Sequence, residues 1–114
     1  MILNPDEKVH IITRRLFDAD LRRHFVGEVK ALEDNVLRVE GYAFVFDESH
    51  SKFIKRPERR VRIISIADSG VIINVIPPEV NLNELMYRIS DDRRLVLTDG
   101  RSFSLDINEF SASR

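Results

Sequence analysis

Six cations stand between positions 52 and 62, Lys52, Lys55, Arg56, Arg59, Arg60 and Arg62, opposed there only by Glu58. Cations at that density, with Phe53 and Ile54 set among them, can lay ammonium and guanidinium groups on phosphates while an aromatic ring stacks on a base. Lys52, Phe53, Lys55, Arg56, Arg59 and Arg60 are therefore the candidate nucleic-acid-binding residues. The segment carries +5 and the remainder of the chain −6, so the formal net charge of −1 supplies no global field toward nucleic acid or anionic lipid. The same cations have a plainer use: on loops and edge strands they discourage sheet edges from pairing with other chains. Arg60 and Arg62, two positions apart, are expected on the solvent face of a strand. Arg14-Arg15 and Arg22-Arg23 would extend a basic patch, with Asp18 and Asp20 between them to neutralise it.

Other chemistry has fewer carriers. His10, His24 and His50 share no short ligand spacing, and Asp47 with His50 is a single pair, so no metal site is expected. The chain has no cysteine, which removes thiol nucleophiles, disulfides and cysteine-based zinc sites. With four glycines there is no Gly-rich phosphate cradle, and no nucleophile elbow or dinucleotide fingerprint occurs. Asp91-Asp92 reads as a turn rather than an acid/base pair. No catalytic residue and no cofactor is expected.

The elements that must position these groups are strands. Asn35 to Phe46, NVLRVEGYAFVF, alternates without a break, placing Leu37, Val39, Gly41, Ala43 and Val45 on one face and Val36, Arg38, Glu40, Tyr42, Phe44 and Phe46 on the other. It predicts a long central strand that Gly41 allows to bend. HFVGEVKAL, from His24 to Leu32, pairs with it as an antiparallel hairpin through Glu33-Asp34-Asn35, with Gly27 a candidate bulge or bend. Before it, Asn4-Pro5-Asp6-Glu7 reads as a helix start, whereas the β-branched Val9, Ile11, Ile12 and Thr13 favour a strand; residues 4–21 are taken as a strand, with a turn at Phe17–Asp20.

After the central strand, Asp47 to Pro57 reads as a polar, basic loop. Arg60 to Ala67 is a strand, Asp68-Ser69-Gly70 a hairpin turn, and Val71 to Ile76 a returning strand stopped by Pro77-Pro78. Asn81 caps one helical turn, Met86 to Ser90 is a short strand, and Asp99-Gly100 forms a type I′ turn between Leu95–Thr98 and Ser102–Ile107. There is no internal repeat or linker. These elements predict a mainly β chain: one small domain over residues 1–114, an antiparallel curled sheet or small barrel of about six to eight strands, with little helix.

Two stretches resemble known motifs. Gly41-Tyr42-Ala43-Phe44-Val45 resembles the core of the RNP1 element of RNA-recognition motifs and cold-shock domains, which implies aromatics stacking on bases; Glu40 and Asp47 depart from it by putting negative charge where the motif carries a cation and an aromatic. Leu95 to Phe103, LVLTDGRSF, resembles the opening of an Sm-like motif, but the rest of that pattern is absent and hairpin grammar accounts for the likeness.

Function is then expected to be binding rather than catalysis. The leading expectation is a homo-oligomer or a module for a protein partner, joined by strand addition at an open edge or through the face of Tyr42, Phe44 and Phe46. Nucleic-acid binding through the basic 52–62 segment is the alternative, and an enzyme with a site assembled from scattered polar residues is the third. With no apolar run near the roughly 20 residues that span a bilayer, no membrane association is expected, and a cytoplasmic location is.

Overall fold

The computed structural model describes residues 2–13, 23–67 and 70–107. It is mainly β, with nine strands and one 3-10 turn among those residues. The chain divides into two units, Met1–Pro78 and Glu79–Arg114.

The first unit is one antiparallel sheet. Its strands are β1 (Lys8–Thr13), β2 (Arg23–Glu33), β3 (Val36–Asp47), β4 (Lys52–Lys55), β5 (Arg60–Ser65) and β6 (Val71–Ile76). β3 is central: β2 pairs with nearly its whole length, from Val36 against Glu33 to Val45 against Arg23. Its other edge is shared, the N-terminal half pairing with β5 and the C-terminal half with β4. β1 lies beyond β2, and β6 beyond β1.

The register requires this sheet to coil. Ser65 at the end of β5 sits in the row of Val36, whereas Val71 at the start of β6 sits, through Thr13 and Arg23, in the row of Val45. On a flat sheet those rows lie ~30 Å apart along β3 and the two strands ~19 Å apart across it. The chain from Ser65 to Val71 reaches at most ~22 Å. Only a strongly curled sheet brings the two ends within that reach, as in a half-closed barrel.

Two glycines mark a close approach of β2 and β3. Gly27 of β2 faces Gly41 of β3, and a Cβ on Gly41 would fall 1.9 Å from the carbonyl oxygen of Val26 and 2.5 Å from the Cα of Gly27. Gly27 therefore serves close approach, and of the bulge or bend expected there the bulge does not form. The bulge lies at Lys30, between Val29 and Ala31.

One face of the sheet carries the core: Val9, Ile11, Phe25, Val29, Leu37, Val39 and Ala43 are buried, with Leu3 beside them and Ile64 and Ile73 packed against them. These are the alternate positions expected on β3. The opposite face is also covered at one end, where His10, Val26 and Phe44 are buried.

The conflict near the N-terminus resolves as a strand from Lys8. Half of a capping box does form, the Asn4 amide donating to Glu7 Oε1 at 2.8 Å. Asp6, however, takes a φ of 72°, and its amide donates to the Val29 carbonyl at 2.7 Å, so the chain turns into the sheet. The turn expected at Phe17–Asp20, Asp68-Ser69 of the expected hairpin turn, and the arginines Arg14, Arg15 and Arg22 lie outside the described residues; the hairpin itself does not form, since β6 pairs with β1 and β5 with β3.

The second unit holds β7 (Met86–Ile89), β8 (Leu95–Thr98) and β9 (Ser104–Asp106) in that order. Asn81 caps the 3-10 turn Leu82–Glu84, its side chain accepting from the Asn83 amide at 2.9 Å. The Asp-Gly turn is longer than a type I′ hairpin. Thr98 faces Ser104, so Asp99 to Phe103 form the loop. Gly100 has the positive φ expected of it, 75°. Asp99 then widens the loop by accepting the amides of Arg101 (2.8 Å) and Phe103 (3.1 Å), while the Thr98 hydroxyl donates to the Phe103 carbonyl at 2.7 Å. Those bonds hold the Asp99 carboxyl below its usual range.

Candidate functional site at the β3–β4–β5 edge

The basic segment is not a loop throughout. Lys52–Lys55 is β4, with Phe53 against Phe46, Lys55 against Phe44 and Lys52 against Asp47. A four-residue strand among charges offers too few alternations to stand out in sequence. Past it, the Arg56 amide still donates to the Ala43 carbonyl at 2.8 Å. Between the pairs Phe44–Lys55 and Gly41–Arg60, β3 advances less far than its partner. β4 and β5 are thus one long neighbour of β3, broken by a wide bulge that holds Pro57, which could not have donated to a ladder.

The bulge distributes the cations. Arg59 Nε donates to Glu40 Oε2 at 3.0 Å, and its guanidinium lies 5.6 Å from the centre of the Tyr42 ring. Lys55 Nζ sits over the same ring at 4.8 Å and near Phe44 at 5.9 Å. Partial burial against those rings lowers the Lys55 ammonium from its ordinary value. Arg60 Nη2 lies 3.3 Å and Arg56 Nε 3.7 Å from the carboxylate of Glu58. Three of the five expected phosphate contacts, Arg56, Arg59 and Arg60, are thus already held by carboxylates of the chain's own, in exposed pairs of modest strength.

The aromatic residues are engaged as well. Phe53 stacks on His24 with ring centres 4.6 Å apart and meets Phe46 edge-on at 5.2 Å. His24 in turn meets His10 edge-on at 5.7 Å. Of the expected partner face, Phe44 is 1% exposed, and Tyr42 and Phe46 are half-buried. The structure brings Tyr42, Phe44, Phe46, Phe53 and Lys55 together, and Arg59 to Tyr42, in one aromatic and cationic cluster.

His10 is the buried member of the ladder. It is closed from solvent, and its Nδ1 lies 3.2 Å from Asn74 Nδ2. Burial, and secondarily repulsion from His24, lower its pKa to about 3.

A Ser–His–Asp trio occurs at the tip of the β3–β4 hairpin, without the geometry of a nucleophilic triad. The Asp47 carboxylate receives the Ser49 hydroxyl at 2.7 Å and lies 2.6 Å from His50 Nδ1, and the Ser49 oxygen is 3.2 Å from that same Nδ1. A triad needs the two ring nitrogens to face the acid and the nucleophile separately. Here one nitrogen meets both, so the trio is a capped turn. Its hydrogen bonds, Ser49 first and His50 second, hold the Asp47 carboxyl below its usual range. Among the described residues no three histidine, aspartate or glutamate side chains converge as metal ligands.

The strand β5 runs with the opposite face outward from the one expected. Arg60 faces Gly41, Arg62 faces Val39 and Ile64 faces Leu37, all on the core face of β3. Val61 and Ile63 face outward instead and are 53% and 63% exposed. With Ile63 and Ile64 adjacent, the hydrophobic pattern of this strand fits either face, and the bulge decides between them. On its far side β5 has no strand partner among the described residues.

No protein-family model matches this chain, and no curated protein or solved structure matches it either. No helix among the described residues is long and apolar enough to cross a membrane.

Proposed function

We propose that this chain acts by association, adding the open edge of β5 to the β5 edge of a second copy. The observation that carries the reading is an edge strand with two large β-branched residues, Val61 and Ile63, exposed on its outward face. Monomeric proteins ordinarily guard such an edge with charge or proline.

Backbone phase supports a particular register. The Ile66 amide donates to the Asn35 carbonyl at 2.8 Å, so alternate residues back along the strand, Ile64, Arg62 and Arg60, also turn their backbone groups toward β3. Val61, Ile63 and Ser65 turn theirs to the open edge. A two-fold axis at Ile63 then sets Ile63 against its own copy, Val61 against Ser65 of the second copy, and Arg62 against Ile64 of the second copy. No like charges face each other in this register, whereas an axis at Arg62 would oppose two guanidiniums.

Sedimentation equilibrium over a wide concentration range tests this. The expected result is a reversible dimer that Ile63→Lys converts to monomer while the circular dichroism stays unchanged. A chain that stays monomeric at millimolar concentration, or a dimer indifferent to Ile63→Lys and Val61→Lys, overturns it.

The nucleic-acid alternative has less support from this geometry, because Arg56, Arg59 and Arg60 are paired with Glu58 or Glu40 and Phe53 is stacked within the chain.

A further inference from the structure

We infer that Arg62, with Arg60 and Arg23, forms a binding site for a phosphoryl group at the rim of the core-lining face of the curled sheet.

Placement comes first. Arg62 stands opposite Val39 and Arg60 opposite Gly41, so both rise from β5 on the face that holds the core. Arg23 opens β2 opposite Val45, on that same face. The curl of the sheet turns β5 and β2 toward each other, and among the described residues Arg60 and Arg23 are near enough for their charges to repel that of Arg62. No side chain rises from Gly41 or Gly27 beside Arg60. Phe25 leans into the space over Gly27, to 2.8 Å from where a Cβ would be. The Arg62 guanidinium lies over that ring, 5.5 Å from its centre. Contact with the ring limits the positions open to the guanidinium while its five N–H donors stay available to an acceptor.

Arg62 also stands apart in its pairing. Neither a carboxylate nor a carbonyl among the described residues bonds to it, in contrast to Arg59 with Glu40 and Arg94 with Asp106. A half-buried guanidinium with five donors, no acceptor and two like charges nearby is an unfavourable arrangement by itself. Burial and the neighbouring arginines both lower its affinity for its own proton charge. An anion placed beside it offsets the repulsion and supplies the missing acceptor. Arg60 reaches Glu58 with one nitrogen and keeps its other donors for a ligand. Three guanidiniums suit a dianionic tetrahedral group better than a single carboxylate, because the fork takes two oxygens and the remaining charge is met from the side. The site lies on the face of β5 opposite Val61 and Ile63, so it does not depend on association of the strand.

The test is a titration of the full chain with inorganic phosphate at constant ionic strength, followed by the arginine Nε–Hε NMR signals. O-phosphoserine in a parallel arm separates a free ion from a phosphomonoester, and acetate reports general anion attraction. The expected result is a saturable shift of the Arg62, Arg60 and Arg23 signals, the affinity read from Arg60 and Arg23 weakening about tenfold in Arg62→Gln, the loss of one charge-assisted pair. Arg38→Gln, on the opposite face, should leave it unchanged. If Arg62→Gln unfolds by exposing Phe25, Arg60→Gln replaces it, with a loss of roughly threefold. No saturable shift with either phosphate probe, equal binding of acetate, or undiminished binding in the variant used overturns the inference.

Discussion

Acidification should destabilise this protein through His10, and by a calculable amount. The ring is sealed in the sheet and held neutral, its pKa lowered from 6.5 to about 3. In the unfolded chain it titrates near the ordinary value. Between the two, the unfolded state binds a proton that the folded state refuses, so the contribution of a neutral His10 is complete above pH 6.5 and is lost as pH falls toward 3. At about pH 4.5 the chain is roughly two units into that window, and each unit costs about 1.4 kcal/mol. The loss is then about 2.7 kcal/mol, a large share of the 5–15 kcal/mol typical of a small domain. Carboxylates add their own slopes, so the assay needs a variant. His10→Asn keeps an acceptor near Nδ1 for Asn74 but does not titrate. Urea unfolding at about pH 7.5 and about pH 4.5 should show the variant weaker at the higher pH, from lost packing, and its pH dependence smaller by about 2.7 kcal/mol. Parallel pH dependences for the two proteins would refute the burial argument, and would mean that the ring takes up its proton in the folded state.

Three further outcomes follow from the geometry. Gly41→Ala drives a methyl into the Val26 carbonyl and should cost ~3 kcal/mol or more, read as a lower urea midpoint, whereas Ala in place of Gly at an unstrained site is harmless or stabilising. Phe44→Ala empties a buried ring site and should cost about 3–5 kcal/mol in the same assay. Asp99→Ala frees the amides of Arg101 and Phe103, and hydrogen exchange should show those two protons losing protection while β7 keeps its own.

Much of the scaffold was legible because strand alternation is a local signal. The twelve residues of β3 and its hairpin to β2 follow directly from apolar residues at every second position, and the stop at Pro77-Pro78 follows from missing donors. What escaped was set by long-range register. β5 reads equally well in either phase, since Val61 and Ile63 compete with Ile64 for the interior, and only the bulge around Pro57 fixes which set turns inward. The Gly27–Gly41 contact likewise needs two strands in register before either glycine has a reason to be one. At the candidate site the residue types were visible but their engagement was not. Glu40 and Glu58 are ordinary strand and loop acids in sequence, and they become counter-charges only once the bulge swings Arg59 and Arg60 toward them. Nothing in the sequence separates Arg62 from the other cations of its segment, because its place over the Phe25 ring exists only once the sheet has curled.

The sheet also imposes an order on synthesis. β1 is hydrogen-bonded on one side to β2, which follows it closely, and on the other to β6, which ends at Ile76. A ribosome adding about 5–20 residues per second makes the intervening chain in roughly 2–10 s after β3 begins. For that interval β1, which carries Val9 and Ile11 of the finished core, presents a bare row of amides and carbonyls to its surroundings. The nascent chain is therefore exposed to wrong pairing at β1, and the arrival of Val71–Ile76 ends that exposure.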